Sequence, residues 1–438
     1  MSGSATVAVF GAAGLIGEIV SAALQDKGFR TIAVARRFTE AQRSRLQPSH
    51  CTIDFMRLDR DRLSAWLADH AVDVVINCVG VLQDGPKGGT QDVHVGWIGR
   101  LLSAMPAQGL LIQLSVPGDP ASDRTPFSTS KHEADAMIAA SGRDFVILRP
   151  GFVLAPTAYG SSALLRAVAS LPLNLSKQTA DAAFRVTDAA DLAATVLDVL
   201  SKWRSGQRGW RAVWDVMATD ASTVGDVING LSERLGGPSR RLRLPAWLMQ
   251  LGARAGDAAS MLGWAPPIRS TSLAEMHRGV TGDPQGWMAA TGVRPKSLAE
   301  ALRQLPVGVQ ERWFGRLYLL KAVVLATLSL FWIASGAIAL TVAFTEATAI
   351  LSKIGLPDTL ARVTTVATGM LDIAIGLGIA VRRSAWASLW TGIAVSLLYV
   401  AASVVLLPAL WADPVGAMVK TVPIVALMLV ALATLDDR

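Results

Sequence analysis

Gly11, Gly14 and Gly17 follow the apolar run Val7-Ala8-Val9-Phe10 at a spacing of three. A strand feeding such a loop, with a helix leaving it, makes a phosphate cradle. Gly11 permits the tight turn and Gly14 lets the backbone approach a pyrophosphate. Gly17 lets helix and strand pack closely, and the helix N-terminus supplies free N–H groups and a positive dipole end. The expected ligand is a nucleotide. The next apolar run ends Val34-Ala35-Arg36-Arg37. A carboxylate there would accept from a ribose 2′-hydroxyl, whereas paired arginines suit a 2′-phosphate through bidentate, charge-assisted bonds. NADP(H) is therefore expected in preference to NAD(H).

Other residues carry less. Cys51 and Cys78 sit in apolar stretches without metal-ligand spacing and read as core thiols of a reducing compartment. His94 reads as a packing or capping residue with no partner for a metal. Asp372 interrupts an apolar run. An intramembrane carboxylate marks a proton or ligand path, or bonds neighbouring helices.

The elements that must position these residues alternate. Strands are expected at Thr6–Phe10, Thr31–Ala35, Val74–Cys78, Leu110–Leu114 and Phe145–Arg149. Segments such as Glu18–Lys27 and Leu63–His70 are long enough for crossover helices. This pattern predicts a Rossmann-type doubly wound parallel sheet. Over 185–193 a turn leads into a helix. The stretch "LPAWLMQLGARAGDAASMLGW", Leu244–Trp264, reads as an amphipathic core helix, with a membrane-surface helix as the alternative.

Farther on, charge nearly disappears. Ala322–Thr345 has no charged residue, and at ~1.5 Å per residue it would reach about 36 Å, enough for a bilayer. Val363–Val381, Ser384–Ala412 and Val415–Leu435 follow, the last with Lys420 placed to snorkel. Trp386, Trp390 and Trp411 are interface anchors. An all-α bundle of four transmembrane helices is expected. Arg312, Arg316, Lys321, Arg382 and Arg383 fall on the head side, against Lys353, Arg362 and Lys420 opposite. That bias, and the lack of room in Met1–Thr6 for a signal peptide, predict a multi-pass protein of the inner (cytoplasmic) membrane with head and both termini cytoplasmic. Across 438 residues, 51% are hydrophobic and 17% charged, and the net charge is +7 without a concentrated basic run, which argues against nucleic acid. The expected division is a nucleotide-binding domain at 1–200, a substrate-side subdomain and linker at 201–310, and a membrane domain at 311–438.

As a set, the glycine spacing, "IDF" at 53–55, "VINCVGVLQ" at 75–83, Ser115, "FSTSK" at 127–131, "LRPGFV" at 148–153 and "VTDAADLA" at 186–193 resemble the short-chain dehydrogenase/reductase superfamily. The similarity is to its extended and atypical branches, which include complex I 39-kDa-subunit-like proteins. The tail, with "LSLFWIASGAIAL" and "MLDIAIGLGIAV", resembles a DoxX-like four-helix membrane domain. The resemblance implies that Gly11, Gly14, Leu15, Ile16 and Gly17 hold the pyrophosphate and that Arg36 and Arg37 meet the 2′-phosphate. Asp54 and Phe55 would flank the adenine, and Val79, Gly80 and Val81 would line the ribose path. Lys131 would bond the nicotinamide ribose, with Pro150, Gly151 and Phe152 near the nicotinamide.

The superfamily's YxxxK motif is broken, because Phe127 stands where the proton-donating Tyr belongs. Ser115 and Lys131 remain as catalytic candidates. Tyr159 is the nearest phenol in sequence, and His132, one step past Lys131 on a helix, is expected to face elsewhere. The resemblance implies an oxidoreductase; with Arg36 and Arg37 and the apolar tail, the expectation is an NADP-dependent one acting on a lipophilic substrate such as a quinone or lipid brought by the bilayer. The alternative is a non-catalytic assembly or sensor protein with membrane-protein partners.

Overall fold

A computed structural model describes residues 5–84, 88–412 and 418–435. The chain forms two compact units. One comprises Met1–Asp257 and Pro267–Gly315, and the other Ala258–Pro266 and Arg316–Arg438.

The first unit is built on a sheet of seven parallel strands. Its strands are β1 Thr6–Phe10, β2 Arg30–Ala35, β3 His50–Thr52, β4 Val72–Asn77, β5 Leu110–Leu114 and β6 Asp144–Pro150. Two-stranded ladders then involve β7 Phe152–Leu154, β8 Leu173–Asn174 and β9 Val186–Asp188, before β10 Arg211–Val216 and β11 Leu242–Arg243. The large sheet runs β10-β6-β5-β4-β1-β2-β3, while β7 pairs β9 and β8 pairs β11.

Alternation along each central strand divides the core. Val7, Val9, Ala33, Ile76 and Ile112 face one way, toward Leu24 of the helix Leu15–Asp26 and Val196 of the helix Ala189–Arg204. Ala8, Phe10, Val34, Val75 and Leu111 face the other way, toward Leu67, Trp97 and Ile138. Both faces are covered, so the strands read as continuous apolar runs.

The five expected strands are present with ends shifted by at most two residues. β3 and β10 were not expected. Both are edge strands: β3 has three residues, and β10 ("RAVWDV") leaves three of its six positions half-buried and two exposed, so neither carries the apolar run of a central strand.

In the second unit, Leu320–Leu340, Asp358–Ala380 and Ala385–Leu406 are long and apolar enough to cross a membrane. The first is shorter than expected, because the chain turns after Leu340 and starts a separate helix, Phe344–Lys353. The expected fourth span at Val415–Leu435 begins outside the described residues. Its described part is the helix Thr421–Ala433, which at ~1.5 Å per residue reaches about 20 Å, against a hydrocarbon core of about 30 Å. Pro423 lies in the first turn of that helix, where a missing N–H is tolerated, and Lys420 is its N-cap. The helices Leu320–Leu340 and Asp358–Ala380 approach closely through small residues. A Cβ on Gly376 would lie 2.7 Å from Ser329 O, and Ser329 Oγ donates to Gly376 O at 2.8 Å.

The stretch expected as a core helix is the helix Ala246–Met261, which buries only Ala253 and Gly256. Trp247 is 65% exposed and Leu251 55%. Apolar residues surround the helix, and the fold covers only one side of it.

Candidate cofactor site

The glycine loop sits where the strand order reverses, between β1 and β4, the usual place for a ligand in an open parallel sheet. Gly11 has φ +80°, a region that favours glycine. Its N–H and that of Ala12 both donate to Val34 O, at 3.0 and 3.1 Å. A Cβ on Gly11 would lie 2.9 Å from Cys78 C, so the loop is pressed against the end of β4. Gly14 is the N-cap of the helix Leu15–Asp26 and offers no side-chain cap. The N–H groups of Leu15, Ile16 and Gly17 open that helix without an intrahelical acceptor. An uncapped, cradle-shaped N-terminus at the switch point fits a dinucleotide pyrophosphate. Buried Glu18 braces the cradle from behind by accepting from Gln42 Nε2 at 2.7 Å and from Arg45.

Arg36 and Arg37 are exposed at the end of β2. Asp54 is exposed after β3 and pairs with Arg57 at 3.2 Å. Phe55 is buried in the core, its ring 5.3 Å from Phe10 and 4.9 Å from Trp97. Its side chain therefore offers no free face to an adenine.

Past β4, the Val79–Val81 loop is fixed from two sides. Lys131 Nζ donates to Val79 O at 3.3 Å and to Leu114 O at 2.8 Å, bridging the ends of β4 and β5. Val81 N–H donates to His94 Nε2 at 3.2 Å, and His94 Nδ1 lies 2.7 Å from Ser130 Oγ, which itself donates to Pro126 O. A neutral imidazole protonated at Nδ1 satisfies every partner. Burial, and then the Lys131 charge, push His94 down to about 2. A Cβ on Gly80 would lie 3.4 Å from Lys131 Nζ and 3.5 Å from His94 Nε2. The sequence reading gave His94 only a packing role. The structure makes it the link between the Val79–Val81 loop and the helix Pro126–Ala140.

That helix presents Phe127, Lys131 and Asp135 at four-residue spacing along one face. The Phe127 ring stands edge-on to His94, centroids 5.6 Å apart. Burial pushes Lys131 down to about 8, opposed by Asp135 and Cys78. Asp135 is raised by burial, against Arg149 and the Ser115 hydroxyl. Arg149 Nε and Nη2 both donate to Asp135 Oδ2, at 3.1 and 3.0 Å. Ser115, Lys131 and Arg149 thus all lie around Asp135, and the sequence reading did not single out Asp135 or Arg149. The four-residue step from Lys131 to Asp135 was the available signal.

His132 turns away from this cluster to Asp123, with Nε2 2.7 Å from Oδ2. Arg278 closes the group, at 3.2 Å from the same oxygen. Beyond β6, Gly151 N–H donates to Thr187 Oγ1 at 2.8 Å and Phe152 N–H to Arg185 O, which joins "RPGF" to "RVTD". Tyr159 is half exposed, and its carbonyl accepts from Ser162 Oγ at the start of the helix Ser161–Ser170. Cys78 is pushed up to about 12 by burial, as suits a core thiol. Among the described residues, no group of three or more His, Cys, Asp or Glu is placed to hold a metal.

The first unit carries an epimerase and short-chain-dehydrogenase-like domain, and the second a DoxX-like helical domain with three helices long and apolar enough to cross a membrane. Residues 7–209 match the NAD dependent epimerase/dehydratase family, and residues 329–429 match the DoxX-like family. No curated protein matches the chain. Among solved structures, Pal from Bacillus thuringiensis is similar at 14% identity, with 71% of this chain and 99% of that chain covered and a TM-score of 0.53. UDP-glucose-4-epimerase from Stenotrophomonas maltophila with bound NAD is similar at 16% identity (73% and 99% covered, TM-score 0.51). UDP-glucuronic acid 4-epimerase from Bacillus cereus in complex with NAD is similar at 14% identity (72% and 97% covered, TM-score 0.50). At these identities the likeness shows the fold alone.

Proposed function

We propose that this protein is a membrane-anchored NADP(H)-binding oxidoreductase that acts on a lipophilic acceptor such as a quinone. Its nucleotide-binding domain spans 1–200, a substrate-side subdomain 201–310 and the DoxX-like membrane domain 311–438. The head is on the cytoplasmic side of the inner membrane. Leu15, Ile16 and Gly17 N–H groups hold the pyrophosphate, and Arg36 and Arg37 take the 2′-phosphate. Asp54 serves the adenine, and Val79 to Val81 line the ribose path. Lys131 reaches the nicotinamide ribose from its seat between β4 and β5. Pro150, Gly151 and Phe152 stand at the nicotinamide. When bound, the cofactor supplies or accepts hydride.

The observation that carries the reading is Phe127, edge-on to a neutral His94 in the place where a phenol would give up a proton. Reduction of a ketone makes an alkoxide and needs a positioned acid. A reduced quinone oxygen is a far weaker base, and water can protonate it. A site with Ser115 to orient the acceptor oxygen and no phenol suits the second reaction better. The same residue favours a second reading, in which the head holds NADP(H) without turnover as part of an assembly or sensor.

The test uses the full chain in proteoliposomes. NADPH oxidation coupled to a lipophilic quinone is expected for the native protein, with little activity on simple carbonyls. Phe127→Tyr is expected to gain carbonyl reduction. Tight NADPH binding with no turnover of any quinone would leave the non-catalytic reading. Replacing Arg36 with a neutral and Arg37 with an acidic residue should move preference toward NADH. Unchanged NADPH affinity would remove the arginine assignment.

A further inference from the structure

The helix Ala246–Met261 is covered on one side only. At 100° per residue, Trp247, Leu251, Ala255, Ala258 and Leu262 fall within one outward sector, and all five are exposed. Soluble surfaces do not ordinarily carry such a stripe. Two further observations say what meets it. The chain just beyond the helix belongs to the second unit. There Leu262 O accepts from Arg382 N–H at 3.0 Å, and Trp264 Nε1 donates to Ala380 O at 2.7 Å with Arg382 over its ring. Ala380 is the last residue of a helix long and apolar enough to cross a membrane, so the Met261 end is held at the level where that span leaves the hydrocarbon. The flanking charge is also one-sided. Arg240, Arg243 and Arg254 are exposed, and no acidic residue occurs from 238 to 256.

We infer that the helix Ala246–Met261 lies in the plane of the membrane interface. Its Trp247–Leu262 stripe enters the acyl boundary, and Arg240, Arg243 and Arg254 meet anionic headgroups. An in-plane helix with an apolar face and arginine flanks binds by these two contributions together. The binding gives the nucleotide-binding unit a contact with lipid of its own. It adds to the anchorage by the spans and does not depend on the cofactor or on turnover.

The test places an environment-sensitive fluorophore at Leu251→Cys, or separately at Trp247→Cys, in the full chain with Cys51 and Cys78 replaced by alanine. Retained NADPH binding or an unchanged melting transition serves as the folding control. A second label at Asp61→Cys, exposed on the helix Arg60–Asp69, reports water. In vesicles containing phosphatidylglycerol, the Leu251 and Trp247 labels should shift to the blue, be quenched by lipid-borne bromine and resist aqueous iodide, while the Asp61 label behaves oppositely. Arg240→Glu with Arg243→Glu should reduce bromine quenching in anionic vesicles to its level in phosphatidylcholine. Iodide quenching equal to that at Asp61 would overturn the inference. So would a Leu251 label that is shielded but untouched by bromine and cross-links to a second copy, because protein would then cover the stripe.

Discussion

Each unit of this protein buries a carboxylate, and the two units handle it differently. In the nucleotide-binding unit, Asp135 faces a guanidinium: Arg149 binds one oxygen with two N–H groups, with Lys131 one helical turn away. In the helical unit, Asp372 has only hydroxyl partners among the described residues. Ser335 of one span donates at 3.2 Å and Tyr399 of another at 3.4 Å. The first arrangement holds a charge against a countercharge. The second joins three helices through one side chain, the structural alternative the sequence left open for Asp372. A charge that must stay ionised is given a countercharge, and one that must only be solvated is given donors.

The largest way to break the contrast is Arg149→Met. It strands a buried carboxylate and should cost about 3–5 kcal/mol, read as a fall in denaturation midpoint. The loss should shrink on acidification. Asp135 titrates above its unfolded value, so the folded state binds the extra proton and the penalty fades as pH drops through that range toward the unfolded value. Adding Asp135→Asn should restore most of the stability at neutral pH. If acid deepens the loss, the pair is not the cause.

Gly17→Val comes next. The new Cβ would collide with Gly11 O and Ala12 Cα, backbone that cannot move without opening the loop. Overpacking of this kind costs about 1–3 kcal/mol, so NADPH affinity measured by calorimetry should fall by about ten- to hundredfold. Native affinity would show that the loop does not carry the pyrophosphate.

A smaller effect concerns Lys131, which burial brings down to about 8. Its charge is complete well below that pH and fades above it. NADPH affinity should therefore weaken as pH rises through about 8, by roughly tenfold for a contribution near 1.4 kcal/mol. Lys131→Met should flatten the profile, and an unchanged step would assign the titration elsewhere.

The smallest effect is expected for Asp372→Asn. An amide keeps an acceptor for one hydroxyl, and such bonds in bilayers average about 0.6 kcal/mol. Unfolding from mixed micelles should shift by no more than about 1 kcal/mol. If cells carrying the variant at native protein level lose function while the fold persists, Asp372 does more than join helices.

How much of this was legible in the sequence depends on whether the signal was local. The central strands and the glycine loop were legible because burial on both faces and a tight turn each leave a mark within a few residues. The edge strands β3 and β10 have one neighbour each and little apolar patterning. The expected fourth span begins outside the described residues, and Pro423 falls within the first turn of the helix Thr421–Ala433 that its described part forms. Phe55, expected beside an adenine, is drawn into the core by Phe10 and Trp97, contacts that involve residues 45 and 42 positions away.

By itself, the sequence determined the class of each half: a phosphate cradle on a parallel α/β sheet, then apolar helices, and a missing phenol at Phe127. Periodicity, glycine spacing and residue identity need no partner to be read. Only the tertiary structure decided that His94 is a neutral strut, that Ser115, Lys131 and Arg149 lie around Asp135, and that the helix Ala246–Met261 keeps an apolar side uncovered. Each of these is a relation between segments distant in sequence, and such relations exist only once long-range packing has chosen which side chains lose their water.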